Sequence, residues 1–313
     1  MPDNPFDLIG VGHIVHETIY FPDRTIGPVL GSPPAYSLVV AAQLGTRCGL
    51  VTKIGPDFPD HLLATFSEVG IDTGGVIDCG RSTCSELTYD AQGNKEIKLP
   101  CRADDILAHD IIPAYHGCRM IYVCTMDDDV PIDQLEAAVA RGEKSAIDLG
   151  GYGGVHMGAK RRSEIESVPE FAKEAAEHFD FVKASDEDCR KIFGEADRRE
   201  YGRWLLTGKA EASLITLGSE GALVTTREGC WLVPPLEGEP IDATGGGDTF
   251  MGGFLSEYLR CGKVIPSTIF GSATALCVIE KTGGVSPKRM PTEVDVRNRI
   301  PTGAMSAVKN LSD

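Results

Sequence analysis

Short apolar runs and amphipathic stretches take turns along this chain, and that alternation restricts the fold more than any other feature. Residues 120–124 precede a helical pattern over 132–141, 145–149 precede one over 167–178, and 181–184 precede a short helix and then 201–206. Runs at 213–217 and 221–226 come next, and a last helical pattern covers 267–281 before Gly283-Gly284. The N-terminal part obeys the same rhythm, with strands at 6–12 and 49–54 and helices at 36–44 and 59–68. Apolar residues at helical spacing identify the helices, and short apolar runs bounded by turn residues identify the strands. A chain that alternates in this way builds a mostly parallel sheet wrapped by helices. Two segments break the rhythm, at about 18–29 and 82–101. The second reads as a β-hairpin, because Ala91-Gln-Gly-Asn94 supplies turn conformations. No repeat or low-complexity linker divides residues 1–313, and a chain of this length buries about three quarters of its unfolded surface as one domain. The polar tail from Thr302 is expected to be loose.

Charge and cysteine usage narrow the function classes. A net charge of −16 disfavours a surface that tracks nucleic-acid phosphates or anionic membranes. The one basic run, Lys160-Arg161-Arg162, reads as a solvated helix start. Ten cysteines lie scattered without CxxC pairs, no apolar run is long enough to span a bilayer, and the sequence shows no signal peptide. Free thiols in a reducing cytoplasm are the simplest account. His13 and His16 stand near Glu17, but no third cluster completes a metal site.

The stretch Asp242-Ala-Thr-Gly-Gly-Gly-Asp248-Thr-Phe-Met-Gly-Gly-Phe254 carries the chemistry. Apolar residues at 250, 251, 254, 255, 258 and 259 identify a helix directly after the glycines. Its N-terminus exposes unpaired N–H groups and partial positive charge, and glycines let that backbone approach an anion. Asp248 falls in the first turn beside the anion, where a carboxylate could take the proton of an attacking hydroxyl. A tight turn with an Asp N-cap is the competing reading of the same residues.

The whole stretch resembles the second signature of the ribokinase-like (PfkB) carbohydrate kinases, with Asp242, Thr244, Gly245, Gly246, Gly247, Asp248, Gly252 and Gly253 in register and Ala243 departing. Ser213–Val224 is similar to the family's nucleotide-binding strand and turn, and Gly31–Gly45 resembles its first signature, with Ser32 and Tyr36 replacing the usual Gly and Asn. The resemblance runs from about Phe6 to Pro287. It implies a ribokinase-like α/β fold in which 18–29 and 82–101 form a small β-sheet lid. Asp248 would be the catalytic base and Gly245–Gly247 the anion hole. Glu17, Gly31, Ser32 and Tyr36 would face the substrate, Tyr36 either stacking on it or packing in the core. Ser185, Thr216, Gly218, Gly221, Ser272 and Gly284 would surround the nucleotide. Asp188, at the end of Ser185-Asp-Glu-Asp188, would serve the metal through bound waters. ATP and Mg²⁺ are the implied cofactors, with a monovalent cation as a further candidate and a homodimer through the lid as a candidate assembly. Asp148-Leu-Gly-Gly-Tyr-Gly153 lacks the Asn and Arg expected there, and Arg102 reads as an exposed charge near the lid.

Short matches at His16-Glu17, Phe181–Ser185, Val233–Pro235 and Phe270–Ser272 look like the myo-inositol kinase branch. A cyclitol, with a ring of hydroxyls and no base, suits a chain with 7% aromatics. Fructose, 2-keto-3-deoxygluconate and nucleosides are alternatives within the family. The changed positions 36, 150 and 185 leave a catalytically silent nucleotide-binding scaffold as the reading from another class. A dinucleotide oxidoreductase is disfavoured because Gly10-x-Gly12-x-x-Val15 lacks a third glycine, and a Walker-type loop because Ala210 follows Gly208-Lys209.

Overall fold

A computed structural model describes residues 5–89 and 95–312. The chain begins with β1 (Leu8–Val11), β2 (Val15–Tyr20), β3 (Thr25–Gly31), α1 (Pro33–Gln43), β4 (Cys48–Ile54), α2 (Asp60–Glu68) and β5 (Asp72–Asp78). It continues with β6 (Thr83–Tyr89), β7 (Lys95–Cys101), β8 (Cys118–Cys124), α3 (Ile132–Val139), β9 (Gly142–Asp148), α4 (Ala159–Ser163), α5 (Val168–Ala176) and β10 (Phe181–Ser185). Then come α6 (Asp186–Phe193), α7 (Arg198–Leu205), β11 (Ala212–Thr216), β12 (Ala222–Thr226) and β13 (Gly229–Val233). The chain closes with α8 (Gly246–Cys261), α9 (Val264–Ile279), α10 (Glu293–Arg299) and β14 (Lys309–Asn310).

Among the described residues, ten strands form one sheet in the order β14-β13-β12-β11-β10-β9-β8-β1-β4-β5. Pairing is parallel from β5 through to β11 and antiparallel from β11 to β14. Helices cover both faces, so the central strands are apolar on both sides. Successive residues of β1 show this directly. Leu8 joins a cluster with Leu38, Phe254 and Phe270, whereas Ile9 joins another with Tyr115, Leu135 and Phe179.

A second sheet holds β3, β2, β6 and β7 in that order, with β2 and β6 parallel. It comprises the two segments that broke the sequence rhythm. The strands of the expected hairpin pair antiparallel from Cys84↔Cys101 to Tyr89↔Lys95, and its turn at 91–94 lies outside the described residues.

Most element boundaries shift by a few residues from the sequence reading, and two differences have a clear physical cause. The helix expected from 36 begins at Pro33, because consecutive prolines fix helical φ at positions whose N–H would be unpaired anyway. The tail expected to be loose instead supplies β14, which pairs with β13 through Leu232↔Lys309. Leu311 N donates to Cys230 O at 2.7 Å, so the free edge of β13 captures the tail.

Candidate active site

The candidate residues gather where the parallel strands end at their carboxyl termini, the edge at which open α/β sheets bind ligands. β9 ends at Asp148, β10 at Ser185 and β11 at Thr216. α8 starts against this edge. Gly245 caps it with φ 76°, and a Cβ there would lie 2.4 Å from the Tyr36 ring, so glycine is required twice over.

The three glycines are not equivalent. Gly246 N donates back to Ala243 O at 3.1 Å, while no hydrogen bond among the described residues occupies the N–H of Gly245, Gly247 or Asp248. The open donors therefore come from Gly245, Gly247 and Asp248, not from all three glycines.

Asp248 is 9% exposed. Burial raises its pKa, and Asp148 and Asp188 raise it further, against the pull of His156 and Lys183. Lys183 is the cation of this cluster. Its Nζ lies 2.7 Å from Asp148 Oδ2, and a Cβ added to Gly247 would sit 3.1 Å from it. The pair forms because Lys183 and Asp148 are register partners on adjacent parallel strands. Burial alone would lower the Lys183 pKa, but Asp148, Asp188 and Asp248 hold it above the ordinary value, so the ammonium stays charged. The sequence reading missed Lys183. A lysine inside an otherwise apolar strand was the available signal.

His156 was also missed. Its ring fills the space where a side chain at position 150 would project, since a Cβ on Gly150 would lie 2.7 Å from His156 Nδ1. That nitrogen is buried without a hydrogen-bond partner. The loss of Asn at 150 is thus matched by a histidine brought from six residues on.

On the side of the small sheet, Glu17 Oε2 accepts from Ser85 Oγ at 2.8 Å, beside Gly31. Ser32 has φ 100°, a strained region for a non-glycine residue, and its buried hydroxyl has no partner. Of the two readings of Tyr36, packing holds: it is 4% exposed and supports the glycine loop from beneath. A cleft of about 1270 Å³ runs between the small sheet, at Glu86 and Lys98, and the loops bearing Asp128 and His156 together with Arg161 of α4. Arg102 is partly buried there, donating to Asp127 O and Asp128 O, and is not the exposed charge expected. Nor is the basic run wholly solvated. Arg161 pairs with the buried Asp128 at 2.7 Å, and Arg162 donates to Gly153 O and Lys191 O.

On the other side, Thr216 ends β11, and Gly218 and Gly221 form the turn into β12. Ser272 is half-buried on α9, which packs against β12 and β13. Gly284 lies apart from these, against Leu30 O and Val29 of β3. Ser185 caps α6 in a reciprocal box with Asp188. Asp188 accepts from Ser185 N at 2.7 Å, Ser185 Oγ at 2.6 Å and Val155 N at 2.8 Å. Its carboxylate ties the 150–156 loop to α6, which leaves little of it for a metal-bound water. His13 is likewise engaged, with Nδ1 2.9 Å from Thr83 Oγ1 and 3.1 Å from Asp129.

Residues 34–292 match the pfkB family of carbohydrate kinases, and the chain belongs to that family. It is 27% identical over 283 residues to a cytidine kinase of Thermococcus kodakarensis, covering 88% of this chain and 97% of that protein. Its fold resembles fructokinase with bound ATP from Xylella fastidiosa, with a TM-score of 0.80 at 20% identity over 94% of this chain and 98% of that one. It also resembles a pyrophosphate-dependent kinase of the ribokinase family complexed with a pyrophosphate analogue and myo-inositol, with a TM-score of 0.75 at 16% identity over 90% of this chain and 98% of that one. The chain is a small-molecule kinase of the sugar and nucleoside class. No helix among the described residues is long and apolar enough to cross a membrane.

Proposed function

We propose that this kinase transfers the γ-phosphoryl group of ATP to a ring hydroxyl of a polyol, with myo-inositol or a related cyclitol as the acceptor. One observation carries the reading: a buried carboxylate, Asp248, in the first helical turn, beside three open N–H groups and a charged lysine. Mg²⁺, served through water by Asp188, would supply charge neutralisation at the ATP phosphates. Asp248 takes the proton from the acceptor hydroxyl as that oxygen attacks in line. The N–H groups of Gly245, Gly247 and Asp248 and the Lys183 ammonium stabilise charge on the phosphoryl in flight. Thr216, Gly218, Gly221, Ser185 and Ser272 belong to the nucleotide side. Asp188, with its oxygens already engaged, orders the loop that carries His156 and contributes to the metal at most through water.

Glu17, held by Ser85, and the orphan hydroxyl of Ser32 supply a hydrogen-bonding floor for vicinal hydroxyls. Tyr36, turned into the core, offers no stacking face to a base, which favours a polyol over a nucleoside. The small sheet closes over the acceptor and excludes water, limiting wasteful hydrolysis. Exposed Tyr20 and Ile26 on β2 and β3 suit pairing of two copies through this sheet.

A nucleoside acceptor is the second reading, favoured by the likeness to a cytidine kinase. Inositols, hexoses, 2-keto-3-deoxy sugars and nucleosides offered with Mg-ATP, and read by mass spectrometry, separate the two. Phosphorylation of the inositol class alone is the expected result. Best turnover of a nucleoside overturns the acceptor assignment, and no product from any acceptor favours a silent scaffold.

A further inference from the structure

Arg289 is 3% exposed, and backbone carbonyls from two segments converge on its guanidinium. Nη2 donates to Asp242 O at 3.3 Å and Thr244 O at 3.1 Å, and Nε donates to Lys281 O at 3.2 Å. Nη1 donates to Tyr36 Oη at 3.2 Å and also to Gly283 O. The Asp242 carboxylate stands 3.7 Å away, and the guanidinium lies 5.7 Å from the centre of the Tyr36 ring. Two turns, 242–244 and 281–283, thus aim four main-chain oxygens at one positive charge.

Converging carbonyl dipoles repel one another unless a cation lies among them. In proteins, shells of carbonyl oxygen commonly hold a large monovalent ion such as K⁺. Here the guanidinium occupies the centre and spends its donors on the shell, so a metal ion does not fit. These four carbonyls are therefore not open to a monovalent cation, the further candidate that the family resemblance raised.

The location gives this charge a task. Asp242 and Thr244 lead directly into Gly245, whose left-handed φ begins α8 and sets the direction of the open N–H groups. Tyr36 links the same guanidinium to the underside of Gly245. We propose that Arg289 is a built-in cation: a positioning residue that fixes the 242–245 loop and makes the phosphoryl-binding N–H groups independent of K⁺ or Na⁺. The proposal deepens the kinase reading, because it takes those N–H groups as the phosphoryl site.

The test uses the full chain and Arg289→Ala, assayed for Mg-ATP turnover with whichever acceptor the screen identifies. Potassium, sodium and tetramethylammonium chlorides are compared at equal ionic strength. Wild-type turnover is expected to vary less than about twofold among them, since no cation binds. Clear activation by potassium overturns the proposal. Arg289→Ala is expected to lose about 10–100-fold in kcat, as when reacting groups are slightly misplaced. Millimolar guanidinium or potassium should restore much of that loss, and urea should not. A variant as active as wild type, or one that neither cation restores, overturns the proposal.

Melting temperature is read in parallel and needs no acceptor. Guanidinium or potassium should raise it in Arg289→Ala relative to wild type, whereas a purely structural loss would not respond. If the variant folds only with added cation, that recovery counts for the proposal; failure to recover counts against it. Should no acceptor be phosphorylated, the kinase reading fails while melting still judges Arg289.

Discussion

At the scale of single residues, the candidate site spends stability to prepare chemistry. Asp248 has a pKa raised first by burial, so its ionised form is disfavoured inside the protein. Below that raised pKa the carboxylate holds a proton and cannot accept one. The acid limb of kcat/KM is therefore expected above the ordinary aspartate range, and a pH–rate profile checks it. Asp248→Asn should lower kcat by about 10²–10⁴ while nucleotide affinity stays near wild type, measured by steady-state kinetics and calorimetry. The same raised pKa gives stability a definite dependence on pH. Between the unfolded and folded pKa the native state binds more protons, so the stability present below the unfolded pKa is lost as pH rises through the folded one. Asp248→Asn is accordingly expected to melt no lower than wild type at neutral pH. Ser32 makes the matching case on the acceptor side. Its hydroxyl is unpaired and its backbone strained without a bound partner, so Ser32→Ala should raise the acceptor KM about tenfold, the worth of one hydrogen bond, without lowering the melting temperature.

At the scale of elements, adjacent parallel strands place opposite charges side by side. Lys183 on β10 and Asp148 on β9 are almost wholly buried, and each compensates the other. Removing one partner leaves a buried charge alone. Lys183→Met is expected to cost about 3–5 kcal/mol in urea unfolding, with much of that recovered in the double variant Lys183→Met/Asp148→Asn. Turnover should stay low in the double variant, because the ammonium beside Gly247 is gone in both. A double variant with restored stability and full turnover would place Lys183 outside the chemistry. The strands themselves were legible, since apolar runs at 145–149 and 181–184 announced β9 and β10. Their neighbour relation was not, because register between distant strands leaves no local trace in sequence. His156 was hidden for a similar reason. It lies in a glycine-rich loop whose path is set by Asp188 accepting from Val155 N, a contact across 33 residues.

Across the whole molecule, the site lies at one edge of a ten-stranded sheet, and stability is drawn from both of its faces. The C-terminal tail contributes at the far end, where β14 covers the edge of β13. Truncation after residue 308 should cost about 1–2 kcal/mol through lost edge hydrogen bonds and leave kcat unchanged, as chemical denaturation and kinetics would show. The tail's polar composition read as loose because an edge strand needs backbone pairing more than apolar side chains. Sequence alone determined the alternation that makes the sheet mostly parallel, the hairpin strands within 82–101, and the glycine-rich helix start with its acid, because these depend on local period and local backbone freedom. That 18–29 and 82–101 share one small sheet followed only from the family resemblance and rests on the long-range pairing of β2 with β6. Tertiary structure decided which charges meet: Lys183 against Asp148 and Gly247, His156 in the space above Gly150, and Arg289 among carbonyls of two distant turns. Those encounters depend on burial and strand register, and low dielectric gives them their energy only once the chain has closed around them.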